Sequence, residues 1–504
     1  MEKARTLIVS HTLSGGAQRA IESPALGAMA IADAMHAKVY PYENPVELLP
    51  NFLHKKRFNI VGFSTFRPSA DRPEQKKATE KLVDSIEKVR GQKPGMLIML
   101  GGHGVTTYPE QFMKNTGAHI GVLGVHGEAI ATGKELAKKL PKSAVKNGEL
   151  TKPGFNALMK IPGLVVKYNG ELHWTGEREP PAELPVPSYK HEVGGGQHFA
   201  YMPEPWGVIA VFAERALCEK SLSELACIYC QPAHSLQRIE KKSLRNMTQA
   251  NPKDCVQAIK NAVGAFRRKR KGKKPEKFMI GFHNDAMPIG LMEGILEEIR
   301  EAPSLDLKKM QMGFMMRPDQ LSPENMEKLI EMNGQCNGIN ITVGMEFANE
   351  NEIQGLRRAK KGSRYEYPAD IKERLLKLYK SGVNVSTFHI MTSMLTDYEG
   401  LKRNLELLQW CQKNLRDTSS HAYLEPRGLL LEKKVLVRNF KFKVNGKEWE
   451  FPDACRPTVK TGELKKMIAY LEEKRTGSPW IRGLLRQMSN HLIEEYEQRE
   501  KEEG

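Results

Sequence analysis

Long hydrophobic runs are missing from this chain. The longest, such as residues 96–100, have the length of a strand, which excludes the roughly 20 apolar residues of a transmembrane helix. The opening M-E-K-A-R-T-L-I-V-S-H holds no apolar stretch of secretory length, so the expected setting is the cytoplasm. Cysteine is scarce as well. Seven residues among 504, an odd number, argue against a disulfide framework and for a reducing compartment. Neither an internal repeat nor a low-complexity tract is evident. What is present is ordinary for globular protein, with 40 % hydrophobic and 27 % charged residues, and the length suffices for two or three domains. The net charge of +17 is spread along the chain, with one dense basic run at 267–274 (R-R-K-R-K-G-K-K). Between a predicted helix and a predicted strand, that run is most simply a solvated loop. Binding to an anionic partner, RNA included, is the alternative.

The few cysteines are not scattered evenly. Cys218, Cys227 and Cys230 lie in C-E-K-S-L-S-E-L-A-C-I-Y-C, directly after a predicted strand at 207–214. Three thiolates hold three irons of a [4Fe–4S] cube and leave the fourth iron open to substrate or cofactor. A closed zinc site wants a fourth protein ligand, and His234 is the local candidate. The bland reading is three small buried hydrophobes.

Residues 1–140 alternate strand-length apolar runs (6–10, 38–42, 60–64, 96–100, 120–123) with helical stretches (23–35, 72–89, 128–140). This pattern predicts an α/β domain with a five-stranded, doubly wound parallel sheet, whose ligands bind beyond the carboxyl ends of the strands. Ser64 and Thr65 follow the third strand, Gly101, Gly102, His103 and Gly104 the fourth, and Gly124 to Glu128 (G-V-H-G-E) the fifth. Residues 141–205 are rich in proline and glycine and read as a linker. From 206 to 428 six strands are expected (207–213, 277–282, 308–314, 338–345, 383–390, 422–425), separated by five long helices (252–266, 287–301, 322–332, 369–380, 398–415). That spacing predicts a full or partial barrel with its chemistry at the strands' C-terminal ends, where the cysteine loop falls. Residues 429–504 read as a small C-terminal extension, with strand-like segments at 434–443 and 449–451 and then helices.

Residues 1–428 resemble the cobalamin-binding-domain radical S-adenosylmethionine (SAM) enzymes. The resemblance is carried by N-I-V-G-F-S-T (59–65), L-I-M-L-G-G-H-G-V-T-T-Y-P-E (97–110) and G-V-L-G-V-H-G-E-A (121–129), then by I-P-G-L (161–164) and L-P-V-P (184–187). Further on it rests on G-F-H-N-D-A (281–286), M-M-R-P-D-Q-L (315–321), V-G-M-E-F-A-N-E (343–350) and I-M-T-S-M-L-T-D-Y-E (390–399). Three departures stand out. The family's first cysteine gap is usually tighter than the eight residues here, although the elongator acetyltransferase subunits, also radical SAM proteins, use a similarly wide one. No D-x-H-x-x-G supplies a lower axial histidine for cobalamin, and Lys361 stands where relatives often carry arginine.

The resemblance implies a Rossmann-like sheet of the cobalamin-binding type, a (β/α)6 partial TIM barrel of radical SAM type, and three cofactors: a [4Fe–4S] cluster, SAM and cobalamin. By that likeness the open iron chelates SAM's methionyl amine and carboxylate, and reductive cleavage yields a 5′-deoxyadenosyl radical. The one-electron reductant is then of ferredoxin or flavodoxin type. Tyr229 would pack beside the adenine and Glu346 would meet SAM polar groups. Asp285 and Arg317 would face the cavity. Each has a plainer role on offer: a loop cap, a pair with Arg357 or Arg358, a helix cap and the start of a turn. Gly101, Gly102, His103, Gly104, Gly127 and Glu128, with the hydroxyls of Ser64 and Thr65, would receive cobalamin; otherwise the sheet merely docks on the barrel. The expected chemistry is methyl transfer to an unactivated carbon of a small-molecule or peptide substrate. The alternatives are non-methylating radical chemistry (ring contraction, cyclisation or RNA modification) with a degenerate cobalamin domain, and a metal-bearing nucleic-acid-binding factor without turnover.

Overall fold

The computed structural model describes residues 6–9, 26–39, 49, 53, 58–65, 73–124, 127–141, 143–179, 186, 206–211, 251–269, 277–282, 286–356, 370–415, 417–424, 435–476 and 478–503. In the first sheet β1 (Thr6–Val9), β2 (Lys38–Val39), β3 (Ile60–Ser64), β4 (Leu97–Gly101) and β5 (Ile120–Val122) run parallel in the spatial order β2-β1-β3-β4-β5. The order reverses between β1 and β3, which makes the sheet doubly wound and fixes its ligand crevice at the carboxyl edge. Alternate residues feed opposite layers. Ile8, Ile60 and Met99 join the core that contains Met35 and Leu136, whereas Leu7, Val61 and Phe63 join the one that contains Ile86 and Phe112. Burial on both faces explains runs as uniformly apolar as T-L-I-V and I-V-G-F-S.

The expected linker is partly sheet. β8 (Leu164–Tyr168) pairs antiparallel with β5, and β9 (Glu171–Trp174) with β8, so the sheet has seven strands. Before them lie a small hairpin, β6 (Val145–Lys146) with β7 (Glu149–Leu150), and the helix Lys152–Leu158. Asn169-Gly170 and Asn147-Gly148 make the two hairpin turns with φ of 50° and 85°, and 52° and 80°. These are the left-handed values that a two-residue hairpin needs.

The second sheet contains β10 (Trp206–Val211), β11 (Lys277–Phe282), β12 (Met310–Met316), β13 (Ile339–Glu346), β14 (Asn384–Ile390) and β15 (Asp417–His421), all parallel and in chain order. Because the order never reverses, right-handed crossovers place every connecting helix on one face. Those helices are Pro252–Lys269, Ile289–Arg300, Pro323–Gln335, Ile371–Lys380 and Tyr398–Asn414. Among the described residues no ladder joins β15 back to β10, so the sheet is a parallel half-barrel. Its sixth strand is the polar D-T-S-S-H, not the apolar stretch at 422–425. Ala422, Tyr423 and Leu424 are buried just past the strand, beneath the C-terminal segment.

That segment begins with β16 (Val437–Val444) and β17 (Lys447–Cys455), an antiparallel hairpin turned by Asn445-Gly446. Phe442, Trp449 and Phe451 are buried in the first sheet's core beside Phe63 and Phe112. Phe112 meets Trp449 edge-on at 5.2 Å, and Tyr108 meets Phe451 at 5.3 Å. Asn115 Nδ2 donates to the Glu448 carbonyl at 2.7 Å and Lys447 Nζ to the Asn115 carbonyl at 3.1 Å. The helices Thr461–Glu473 and Pro479–Glu503 then pack through Leu464, Met467 and Leu485 onto Leu401, Leu405 and Leu408 of the half-barrel. One segment therefore grips both sheets. No described helix is long and apolar enough to cross a membrane.

Candidate active site

Strict alternation divides the faces of the half-barrel. Phe278, Ile280, Met312, Phe314, Ile341 and Val343 are buried against the helices, while Met279, Gly281, Gly313, Met315, Thr342 and Gly344 on the inner face are only half-buried. A closed eight-stranded barrel fills its interior with side chains; here, among the described residues, the inner face stays half-buried. Gly281 and Gly313 lie side by side in register, and a Cβ on Gly281 would meet nothing within 4 Å.

Glu346 closes β13 on that face. Its φ is 55°, a left-handed backbone that costs a non-glycine residue about 1 kcal/mol or more. The register of β13 against β14 shifts between Gly344 and Glu346, and such bulges re-aim a side chain. The carboxylate turns back over the strand, with Oε1 3.5 Å from where a Cβ on Gly344 would sit. Arg317 follows β12, and its guanidinium makes a fork to Asp319, with Nε to Oδ1 at 2.8 Å and Nη2 to Oδ2 at 2.7 Å. Its backbone N–H donates to Gln320 Oε1 at 2.8 Å. Arg317 thus meets a carboxylate of its own chain and shapes the turn at Pro318. Tyr229, Asp285, Lys361 and the cysteines Cys218, Cys227 and Cys230 lie outside the described residues.

The other four cysteines are described, and all are buried. Burial pushes the thiols up, Cys255 to about 12 and Cys411 to about 11, and raises Cys336, whose Sγ donates to the Gly338 carbonyl. Thiols held protonated in apolar surroundings are poor metal ligands. Among the described residues no group of three or more His, Cys, Asp or Glu is arranged to hold a metal ion.

A buried polar cluster that the sequence reading did not find lies behind Glu346. Glu352, fully buried in the helix Glu350–Leu356, accepts from Ser393 Oγ at 2.6 Å, from Thr396 Oγ1 and from Asn404 Nδ2 at 2.9 Å. Burial raises its pKa, against the pull of those three hydrogen bonds. Asn404 also donates to the Met391 carbonyl at 3.1 Å and accepts from the Ala348 N–H at 2.6 Å. The loops leaving β13 and β14 are in this way joined on the helix Tyr398–Asn414. The one sequence signal was the polar T-S-x-x-T at 392–396, spaced like a turn and flanked by apolar residues.

At the carboxyl edge of the first sheet, Thr65 is buried and its hydroxyl is committed. Oγ1 donates to the Gly101 carbonyl at 2.9 Å and accepts from the Val105 N–H at 2.8 Å. The Thr65 backbone adds bonds to Gly101 and Gly104 at 2.8 and 3.0 Å. Thr65 therefore builds the loop, while Gly102 is exposed beside it with φ 92°. A Cβ on Gly101 would meet nothing within 4 Å, so the edge is open there. Ser64 is half-buried at the end of β3, and His103 and Gly104 begin the helix His103–Thr107. Gly127, with φ 99°, precedes the helix Glu128–Lys139, in whose first turn Glu128 is buried. Gly124 faces that carboxylate so closely that a Cβ would lie 2.7 Å from Glu128 Cβ. His126 lies outside the described residues, and of the basic run only 267–269 are described, with Arg267 exposed.

This fold is shared with solved structures of radical SAM enzymes. TsrM from Kitasatospora setae, solved with tryptophan substrate and a SAM analogue, matches with a TM-score of 0.63 at 13 % identity over 99 % of each chain. TsrM with cobalamin and a [4Fe–4S] cluster bound gives 0.56 at 14 %, over 84 % of this chain and 72 % of that one. OxsB with aqua-cobalamin gives 0.61 at 14 %, over 98 % of this chain and 72 % of that one. At such identities the likeness is one of fold. No protein-family model and no curated protein sequence matches the chain.

Proposed function

We propose that this chain is a cytoplasmic radical SAM enzyme that binds a [4Fe–4S] cluster through Cys218, Cys227 and Cys230, takes cobalamin at the edge of the first sheet, and methylates an unactivated carbon. The observation that carries the reading is the distribution of its seven cysteines. Four are buried one by one, and the remaining three follow β10, the first strand of the half-barrel, in the sequence. When bound, the cluster and SAM supply a hydrogen-abstracting radical and the corrinoid supplies the methyl group.

The chain's own residues receive and orient these groups. The half-buried inner face, floored by Gly281 and Gly313, gives SAM and substrate room against the backbone. Glu346, aimed by its bulge, accepts a hydrogen bond from SAM; Asp285 and Tyr229 complete the surround, and Arg317 joins it only by giving up Asp319. At the first sheet, Gly101, Gly102, Gly104 and Gly127 admit the corrinoid close to the backbone, with Ser64, His103 and Glu128 around it, while Thr65 holds the loop that receives it. A small molecule or peptide is the substrate, and a ferredoxin- or flavodoxin-type donor the reductant.

Anaerobic reconstitution with iron, sulfide and cobalamin, followed by mass spectrometry of SAM products, tests the proposal. S-adenosylhomocysteine together with 5′-deoxyadenosine is expected. The latter alone would point to radical chemistry without methylation. Failure to take up iron and sulfide would end the reading, and full cluster retention by Cys218→Ala would move the ligand assignment elsewhere.

A further inference from the structure

The bend at Glu346 is held from behind. Phe347, the next residue, is fully buried with Ile353, Leu356, Ile390 and Met394. The Ala348 N–H is bonded to Asn404 Oδ1. Asn349 is buried so tightly against the start of the helix Tyr398–Asn414 that a Cβ on Gly400 would lie 2.5 Å from its Nδ2. Glu352, one turn on, is tied to Ser393, Thr396 and again Asn404. Strained backbone persists only where its surroundings over-determine it, and here three consecutive residues after the bend are fixed.

We propose that Asn404 and Glu352 are positioning residues whose buried hydrogen bonds lock the β13 and β14 exit loops together and hold Glu346 in its left-handed bend, with its carboxylate over the half-barrel. The clamp needs no bound group, but its consequence for SAM rests on the role given to Glu346 above. Neither residue touches the open face. Asn404 fits the task because one side chain both accepts from the β13 loop and donates to the β14 loop.

The test separates the clamp from that reading. Glycine carries no penalty at positive φ, so Glu346→Gly is expected to raise the melting temperature of the cofactor-free chain by about 2 °C. In an Asn404→Ala background, where the bend can relax, the gain should fall below half. An equal gain in both backgrounds would overturn the clamp. Should Asn404→Ala fail to fold, hydrogen exchange at the Ala348 amide of the unaltered chain decides, since the bond to Asn404 predicts protection of at least about a hundredfold and exchange at an open-loop rate refutes it.

In reconstituted protein, equilibrium dialysis should show Glu352→Ala weakening SAM binding about tenfold. Glu352→Gln, whose amide still accepts from Asn404 and donates to the two hydroxyls, should retain affinity. Adding Asn404→Ala to Glu346→Ala should cause no further loss, and additive losses would refute action through Glu346. If Glu346→Ala leaves SAM affinity intact while the thermal coupling persists, the clamp stands and the SAM role of Glu346 falls.

Discussion

Among the described residues, three buried histidines make the chain sensitive to acid. Burial pushes His389 down to about 4, and burial with the nearby Arg438 guanidinium pushes His491 down to about 3. His119 is lowered as well, chiefly by burial. It accepts from the Ile98 N–H at Nδ1 and contacts the Gly148 carbonyl at Nε2, both at 3.0 Å, which requires the neutral ring. A folded pKa below the unfolded one means that the unfolded chain binds more protons as the pH falls. The contribution of these histidines to stability is therefore full above about pH 6.5 and lost progressively below it. At pH 5 the cost should be about 2 kcal/mol each for His389 and His491, read as a drop in the denaturant midpoint. A midpoint flat from pH 7 to 5 would contradict this. Thr65→Val is expected to cost about 1–3 kcal/mol, because the Gly101 carbonyl and Val105 N–H lose their shared partner. Thr65 also marks the limit of residue-by-residue inference. A hydroxyl at a strand exit reads equally as ligand donor or loop brace, and only the loop's return to Gly104 tells them apart.

At the scale of elements, apolar rhythm found β3 and β11 to the residue and placed each barrel helix within a few residues of its observed ends. It failed where polarity and pairing part company. β15 is an outer strand of polar residues, with no strand beyond it among the described residues to demand an apolar face, and the apolar 422–424 serve another core. β8 and β9 escaped because proline and glycine nearby suggested a linker, although Asn-Gly between β-branched and aromatic residues is itself a hairpin signal. The turn chemistry is testable at Asn445-Gly446. Gly446 has φ 76° and a Cβ there would meet nothing within 4 Å, so Gly446→Ala meets no clash and only backbone strain, about 1–2 kcal/mol. The bulge at Glu346 left no trace in the periodicity, since strain is invisible in composition. The mark that carboxylate carries in the sequence is the family-like segment V-G-M-E-F-A-N-E.

At the scale of the molecule, sequence order alone gave two parallel sheets and a tail but not what the tail does. Its aromatic hairpin was visible as strand-like runs, while the surface it covers lies more than 300 positions away in sequence, beside Asn115. No local pattern encodes that contact. Trp449 is fully buried against Phe112 and Phe442, so Trp449→Ala should destabilise by about 3–5 kcal/mol. Since the same segment is anchored on the half-barrel through Leu464 and Leu485, both sheets are expected to loosen together, which calorimetry would show as one shifted transition. A change confined to half of the heat uptake would argue that the segment does not couple them.

This placement also dictates how the chain is made. The N-terminal sheet emerges from the ribosome first, yet the aromatic cover of one of its faces is synthesised only after residue 440, once the whole half-barrel has been translated. At about 5–20 residues per second, that face waits tens of seconds without its cover. A nascent or truncated product ending before β16 should therefore be a preferred client of chaperones and proteases.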